Sequence, residues 1–287
     1  MAADFASRCR WPCAPCSSSR IRRRAAIGQT WREGLTLPPM NLGERVRLLL
    51  PAALRDKLAE VEATLGRLVE FRVDAALDGL AAGKASSDGT IHLSSLTAAE
   101  VLAATAELSR DTSGVLGEEI MHLVRRAERY PAIQPQGLAS LHDYDLALSC
   151  LSGHFEEHAF FPFLENLGLD PRGVLTATID QSGRMLPRML PHIEQNGHTA
   201  KWRVRLSTLF VQTSLLAPES LARTRLLGLF HDPVLVPYAQ LGEFLNGEIT
   251  AAAGSAPLEV GERMRRCVER LDLPREAAVV TVPAFPS

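Results

Sequence analysis

From Pro51 onward, Leu54, Leu58, Val61, Leu65 and Leu68 recur at the three- and four-residue spacing of a helix with one buried face, and Gly66 marks its end. The period then changes. Val69, Phe71 and Val73 alternate with Glu70, Arg72 and Asp74, and Ile91 and Leu93 alternate with Thr90, His92 and Ser94 after the turn signal Asp88-Gly89. Both stretches predict half-buried strands of a two-stranded or slightly larger sheet. Thr97-Ala98-Ala99-Glu100 has the spacing of a capping box and predicts a helix to about Arg110, which residues 111–114 interrupt or restart.

A further helix is expected over about 115–129, with Leu116, Ile120, Leu123, Val124 and Ala127 as its buried stripe. Pro131, Pro135 and Gly137 predict a loop. Leu141, Tyr144, Leu148, Leu151 and Phe155 line one face of the next helix, and Gly168 and Pro171 close a short helix that follows Pro162. Beyond Pro171 the pattern loosens to turn-like sequence. It recovers as helices near 203–216, 219–230, 236–250 and 258–271, and residues 278–282 read as a final strand. No fixed-period repeat is visible. The fold class expected is α+β, mostly helical, with a small sheet packed on the helix at 115–129 and a helical C-terminal half.

The 287 residues, 46% hydrophobic and 22% charged, are enough for one large domain or two modest ones with a sizeable core. The net charge of −2 gives no overall reason to expect nucleic acid or an anionic membrane as partner. The absence of a long apolar run predicts no transmembrane helix, and the N-terminus lacks the apolar core of a secretory signal, so the cytoplasm is the expected location. Residues 1–40 carry Arg8, Arg10, Arg20, Arg22, Arg23, Arg24 and Arg32 among Ser, Pro and Cys without apolar periodicity, and read as a disordered basic leader. Cys9, Cys13 and Cys16 have an iron–sulfur spacing, but that motif needs a preceding strand, so an unstructured leader is the better reading. Cys150 and Cys267 stand alone and are expected to be buried apolar residues.

Candidate chemistry collects in Gly117-Glu118-Glu119-Ile120-Met121-His122-Leu123 and in His154-Phe155-Glu156-Glu157-His158. Residues three and four apart share a helix face, so Glu118 and Glu119 can present carboxylates beside the His122 imidazole. The plainer reading is a solvated face whose carboxylates pair with His122 and with Arg125 or Arg126. Elsewhere the signals are thin. Gly79 to Lys84 falls one residue short of a phosphate-cradling loop and reads as an ordinary loop; His231-Asp232-Pro233 looks like a helix end, and His192 and His198 lie in turn-rich sequence. Glu119-x-x-His122 has the ligand spacing of a ferritin-like di-iron site, but no second Glu-x-x-His accompanies it.

With Glu118 read as His, the first motif becomes H-E-x-x-H on a helix, and the segment resembles a family of small bacterial zincin-like metallopeptidase domains. The resemblance covers the strand Thr90-Ile91-His92-Leu93, the motif helix into Arg129-Tyr130-Pro131, and Glu157-His158 with the Phe160–Asp170 stretch. It implies zinc as cofactor, His122 as ligand, Glu118 in the place of the first His, and Glu119 as general base acting on a peptide or protein substrate. It also implies a third ligand at Glu157 or His158, with Glu157 the first choice because a zincin third ligand is often a carboxylate. His154, Glu157 and His158 also match the inverted order H-x-x-E-H, while His154 on its own reads as a capping or packing residue. A Glu at 118 adds negative charge and implies weakened or lost catalysis, which leaves a non-catalytic binding or regulatory module as the alternative. On this reading residues 41–172 form the zincin-like domain and 173–287 a helical region, either separate from it or continuous with it.

Overall fold

The computed structural model describes residues 41–78, 81–135, 142–173, 175–197, 199–273, 278–281 and 285. The basic leader with Cys9, Cys13 and Cys16 lies outside these, as do Gly79, Gly137, Leu141 and His198.

The described residues begin with α1 (Leu42–Leu49). Asn41 and Glu44 form a reciprocal cap there: Asn41 Oδ1 accepts the Glu44 N–H at 2.9 Å and Glu44 Oε2 accepts the Asn41 N–H at 3.1 Å. Next comes α2 (Ala52–Leu65), whose Leu54, Leu58 and Val61 are buried as their spacing predicts. Gly66 ends it at a φ of 65°, in the left-handed region that glycine adopts without strain.

Three short strands follow, β1 (Glu70–Val73), β2 (Gly83–Ala85) and β3 (Thr90–Leu93). β1 runs parallel to β3 and β2 antiparallel to it, in the order β1-β3-β2, so β2 is an edge. The loop expected up to Lys84 is corrected here. Gly83 and Lys84 belong to β2, because the central strand, anchored by the fully buried Ile91 and Leu93, supplies a ladder for even this weak sequence to pair with.

α3 (Ser95–Ala103) is capped by Ser94, whose Oγ accepts the Thr97 N–H at 3.3 Å; Thr97 is inside the helix rather than its cap, and the helix stops well before Arg110. α4 (Arg110–Ala127) then starts earlier than expected, at the Ser109 cap, and takes in residues 111–114 without a break. Gly114 fits there because it lies against the Asp170 carbonyl, where a Cβ would come within 3.2 Å.

Residues Ala132–Pro135 form β4 rather than a loop, and α5 (His142–Asn166) continues through Pro162 as one helix. Residues 175–196, expected to be turn-like, form α6 (Leu175–Asn196), with Pro187 and Pro191 inside it. Each proline removes one backbone hydrogen bond at a cost of about 3 kcal/mol. Burial of Ile179, Leu186, Met189 and Ile193 offsets that cost.

The remaining helices match the expected periodicity: α7 (Ala200–Val211), continued by a π-helical turn at Gln212–Leu216, then α8 (Leu221–Leu229), α9 (Val236–Ala252) and α10 (Pro257–Arg270). The last strand, β5 (Ala278–Thr281), pairs antiparallel with β4 in a second sheet. The protein is α+β and mostly helical. Among the described residues no helix is long and apolar enough to cross a membrane.

Three apolar clusters hold these elements together. The first joins α1, α2, the three-stranded sheet and α4 to Phe160, Phe161 and Leu164 of α5, and also takes in Leu175 and Leu216. The second is built around Leu148, Leu151 and Phe155 of α5 with α7, α9 and α10, and the third by α6, α7, α8 and Tyr238 of α9. α5 therefore serves two cores, one on each side of residues 156–158.

Candidate functional site

On α4, Leu116, Ile120 and Leu123 are 0% exposed, and this anchored face fixes the direction of Glu118, Glu119 and His122. Glu119 is itself buried, and its Oε2 accepts the Ala85 N–H at 2.5 Å. That amide belongs to the outer edge of β2, so a helix carboxylate satisfies a backbone donor that the sheet leaves unpaired. Gly83 makes the approach possible: a Cβ there would lie 3.0 Å from Glu119 Cγ and 3.0 Å from Val115 Cγ1.

His122 is held through one ring nitrogen. Its Nδ1 lies 2.7 Å from Glu156 Oε2, and because a carboxylate only accepts, Nδ1 carries the hydrogen of this bond. Nε2 then faces Glu118, with Oε1 4.0 Å away. The ring stands edge-on to Phe160, centroids 5.2 Å apart. One ring nitrogen donating to a carboxylate while the other points at further carboxylates is the arrangement of a metal-ligating histidine. Sequence reasoning gave Glu156 no role. Its only signal was membership of the Glu156-Glu157 pair, and such pairs more often lie on a solvated face.

Glu118, His122 and Glu157 each offer one ligand atom, and those atoms all lie within 4.8 Å of one another. His158 is not part of this group; it is half-buried, and burial, then Arg172, pushes its imidazole down. His154 is 2% exposed in the middle of α5 and so packs rather than caps. Burial pushes its imidazole down to about 3. His192 is in α6, not in a turn, and Cys150 is half-buried where Cys267 is fully buried.

Four carboxylates around one imidazole leave the site short of positive charge. Burial, then Glu157 and Glu119, raises Glu118 well above the usual carboxylate range. Burial likewise raises Glu119 and carries Glu157 up to about 7. For His122 burial alone would lower the imidazole, but the hydrogen bond and charge of Glu156, with Glu119 and Glu118, outweigh it and hold the group at about 10. A bound proton on His122 is therefore the positive charge these residues retain in the absence of a cation.

The group opens into a cavity of about 380 Å³ that runs from β2 past α4 and the first half of α5 to Ile133 of β4, Leu175 and Gln212. Arg126, on its rim, donates to the Ser86 carbonyl. One imidazole and two carboxylates fit a divalent cation such as zinc, and Glu157 Oε2 is buried with no hydrogen-bond partner. Comparison with known proteins finds no family model that matches this chain, and no curated protein or solved structure similar to it.

Proposed function

We propose that the chain is a zincin-like, zinc-dependent peptide hydrolase of reduced catalytic power, with the metal held by His122, Glu118 and Glu157. The observation that carries this reading is the convergence of those three side chains, with His122 fixed through Nδ1 by Glu156. Zinc bound there would acidify a water and polarise the substrate carbonyl. Glu119, next to Glu118 on the helix and raised by burial above the ordinary carboxylate value, would take the proton of that water.

The edge strand supplies a place for the substrate. Ala85 turns its N–H away from β3 toward Glu119, and by the alternation of an antiparallel ladder Gly83 turns its backbone groups the same way. An extended peptide can add to this edge and lie across the carboxylates. Glu118 is the reason to expect slow turnover, since an anionic ligand in place of a neutral imidazole makes bound water less acidic.

Glu119→Gln tests the assignment. The variant is expected to keep its zinc while hydrolysis of unstructured peptides falls by about 10²- to 10⁴-fold. A zinc-loaded wild-type chain that cleaves no peptide would remove the hydrolytic step. It would leave the second reading, a non-catalytic module that binds peptide along β2, which is favoured by the occupation of Glu119 Oε2 by the Ala85 amide.

A further inference from the structure

Val115, Glu118, Glu119, His122 and Arg126 all line the cavity, which therefore follows α4 for about three turns. β2 and the residue after it run beside the helix in the same sense. Gly83 lies against Val115 and Glu119, the Ala85 N–H bonds to Glu119, and the Ser86 carbonyl accepts a hydrogen bond from Arg126. A peptide laid over the metal group along this direction meets Arg126 one helical turn beyond His122.

Arg126 is the charged side chain of this α4 face that the metal site does not use. Glu118 ligates together with Glu157 of α5, His122 Nδ1 is engaged by Glu156, and Glu119 is held by the Ala85 amide. Arg126 is half-buried, and its bond to Ser86 occupies one of the five N–H groups of a guanidinium. Among the described residues it forms no ion pair. Burial lowers its pKa, and Glu156 and Asp88 oppose that by charge alone, from beyond ion-pair distance. A guanidinium partly withdrawn from water with no carboxylate against it keeps its fork for one that arrives. Lys84, exposed on β2 and lining the same cavity, adds a second positive charge.

We propose that Arg126 binds the terminal carboxylate of the substrate, so that the protein releases one or two residues from the C-terminal end of a peptide. This inference rests on the peptide-hydrolase reading and names its substrate. Arg126 follows His122 by about 6 Å along the helix axis, and an extended chain advances about 3.3 Å per residue. A carboxylate on Arg126 therefore lies one or two residues past the bond presented to the metal group. In the reaction one water adds across the peptide C–N bond. Its hydroxyl goes to the acyl carbon and its proton, by way of Glu119, to the amine of the released fragment.

The test uses the full chain, first assayed for zinc, and one unstructured peptide in free-acid and C-terminally amidated forms. Mass spectrometry of the products is expected to show one or two residues lost from the free acid, about tenfold faster than the amide is cut. Calorimetry reads the same recognition without turnover. The hydroxamate of malonyl-alanine, which anchors on the metal, should bind about tenfold more tightly as the free acid than as the carboxamide. Both ratios should fall to about one in Arg126→Gln and recover in part in Arg126→Lys. If Arg126 only braced Ser86, its loss would slow both peptides alike, and that result would overturn the assignment. Equal handling of the two forms by zinc-loaded wild type, with internal bonds cut, would also overturn it and leave the hydrolase reading standing. A chain that takes up no zinc would overturn both, and the metal assay reveals it before any peptide is added.

Discussion

His122 and its four carboxylates determine how the site answers to pH. Glu118, Glu119 and Glu157 hold their protons more tightly than in an unfolded chain, Glu157 up to about 7, and His122 holds its own up to about 10. Each of these groups makes the folded state bind more protons than the unfolded state, so stability falls as pH rises. The Glu157 contribution is lost between the ordinary glutamate range and about 7, and those of Glu118 and Glu119 are lost above the ordinary glutamate range. The His122 contribution is complete below the ordinary imidazole value near 6.5 and is lost on the way to about 10. The metal-free protein should therefore melt at a lower temperature at pH 8.5 than at pH 5.5, by several degrees. With zinc present the order should reverse, because the ligands must lose their protons to bind it. Thermal unfolding in chelator and in excess zinc checks both signs. Equal melting temperatures at the two pH values in chelator would mean that these groups titrate as they do in water.

At the scale of elements, the site depends on β2 lying close on α4. Gly83→Val places a branched side chain where even a Cβ would be 3.0 Å from both Glu119 and Val115. It should destabilise the fold by about 1–3 kcal/mol in urea unfolding. An unchanged midpoint would mean that β2 does not pack on Glu119. β2 was not legible in the sequence, because Gly83-Lys84-Ala85 has little strand propensity and pairs only where Ile91 and Leu93 have already built a buried strand. α6 was hidden for a different reason: Gly183, Pro187 and Pro191 break the helical signal locally, and only its packing against α7 and α8 restores it. By contrast α2, α4 and the helices after α6 were readable, because their buried residues keep the helical period. So was the face shared by Glu118 and His122, which needs only four-residue spacing. Glu156 was not, since its bond to His122 joins two helices whose juxtaposition no local pattern records.

Across the whole molecule, α5 is the shared beam. Its Leu148, Leu151 and Phe155 pack with the C-terminal helices and its Phe160, Phe161 and Leu164 with the sheet and α4. Glu156 and Glu157 fall between these two apolar runs, so both cores brace them against the α4 carboxylates. Such bracing is what a set of repelling charges needs in order to stay together, and a cation is what would relieve the repulsion. The measurement that bears most directly on this is metal content by mass spectrometry of the protein purified without chelator or a His tag, beside His122→Ala. About one zinc per chain in the wild type and little in the variant is the expected result. No metal in either, with both chains folded, would contradict the metal site and leave His122 as a protonated counter-ion to a cluster of buried and half-buried carboxylates.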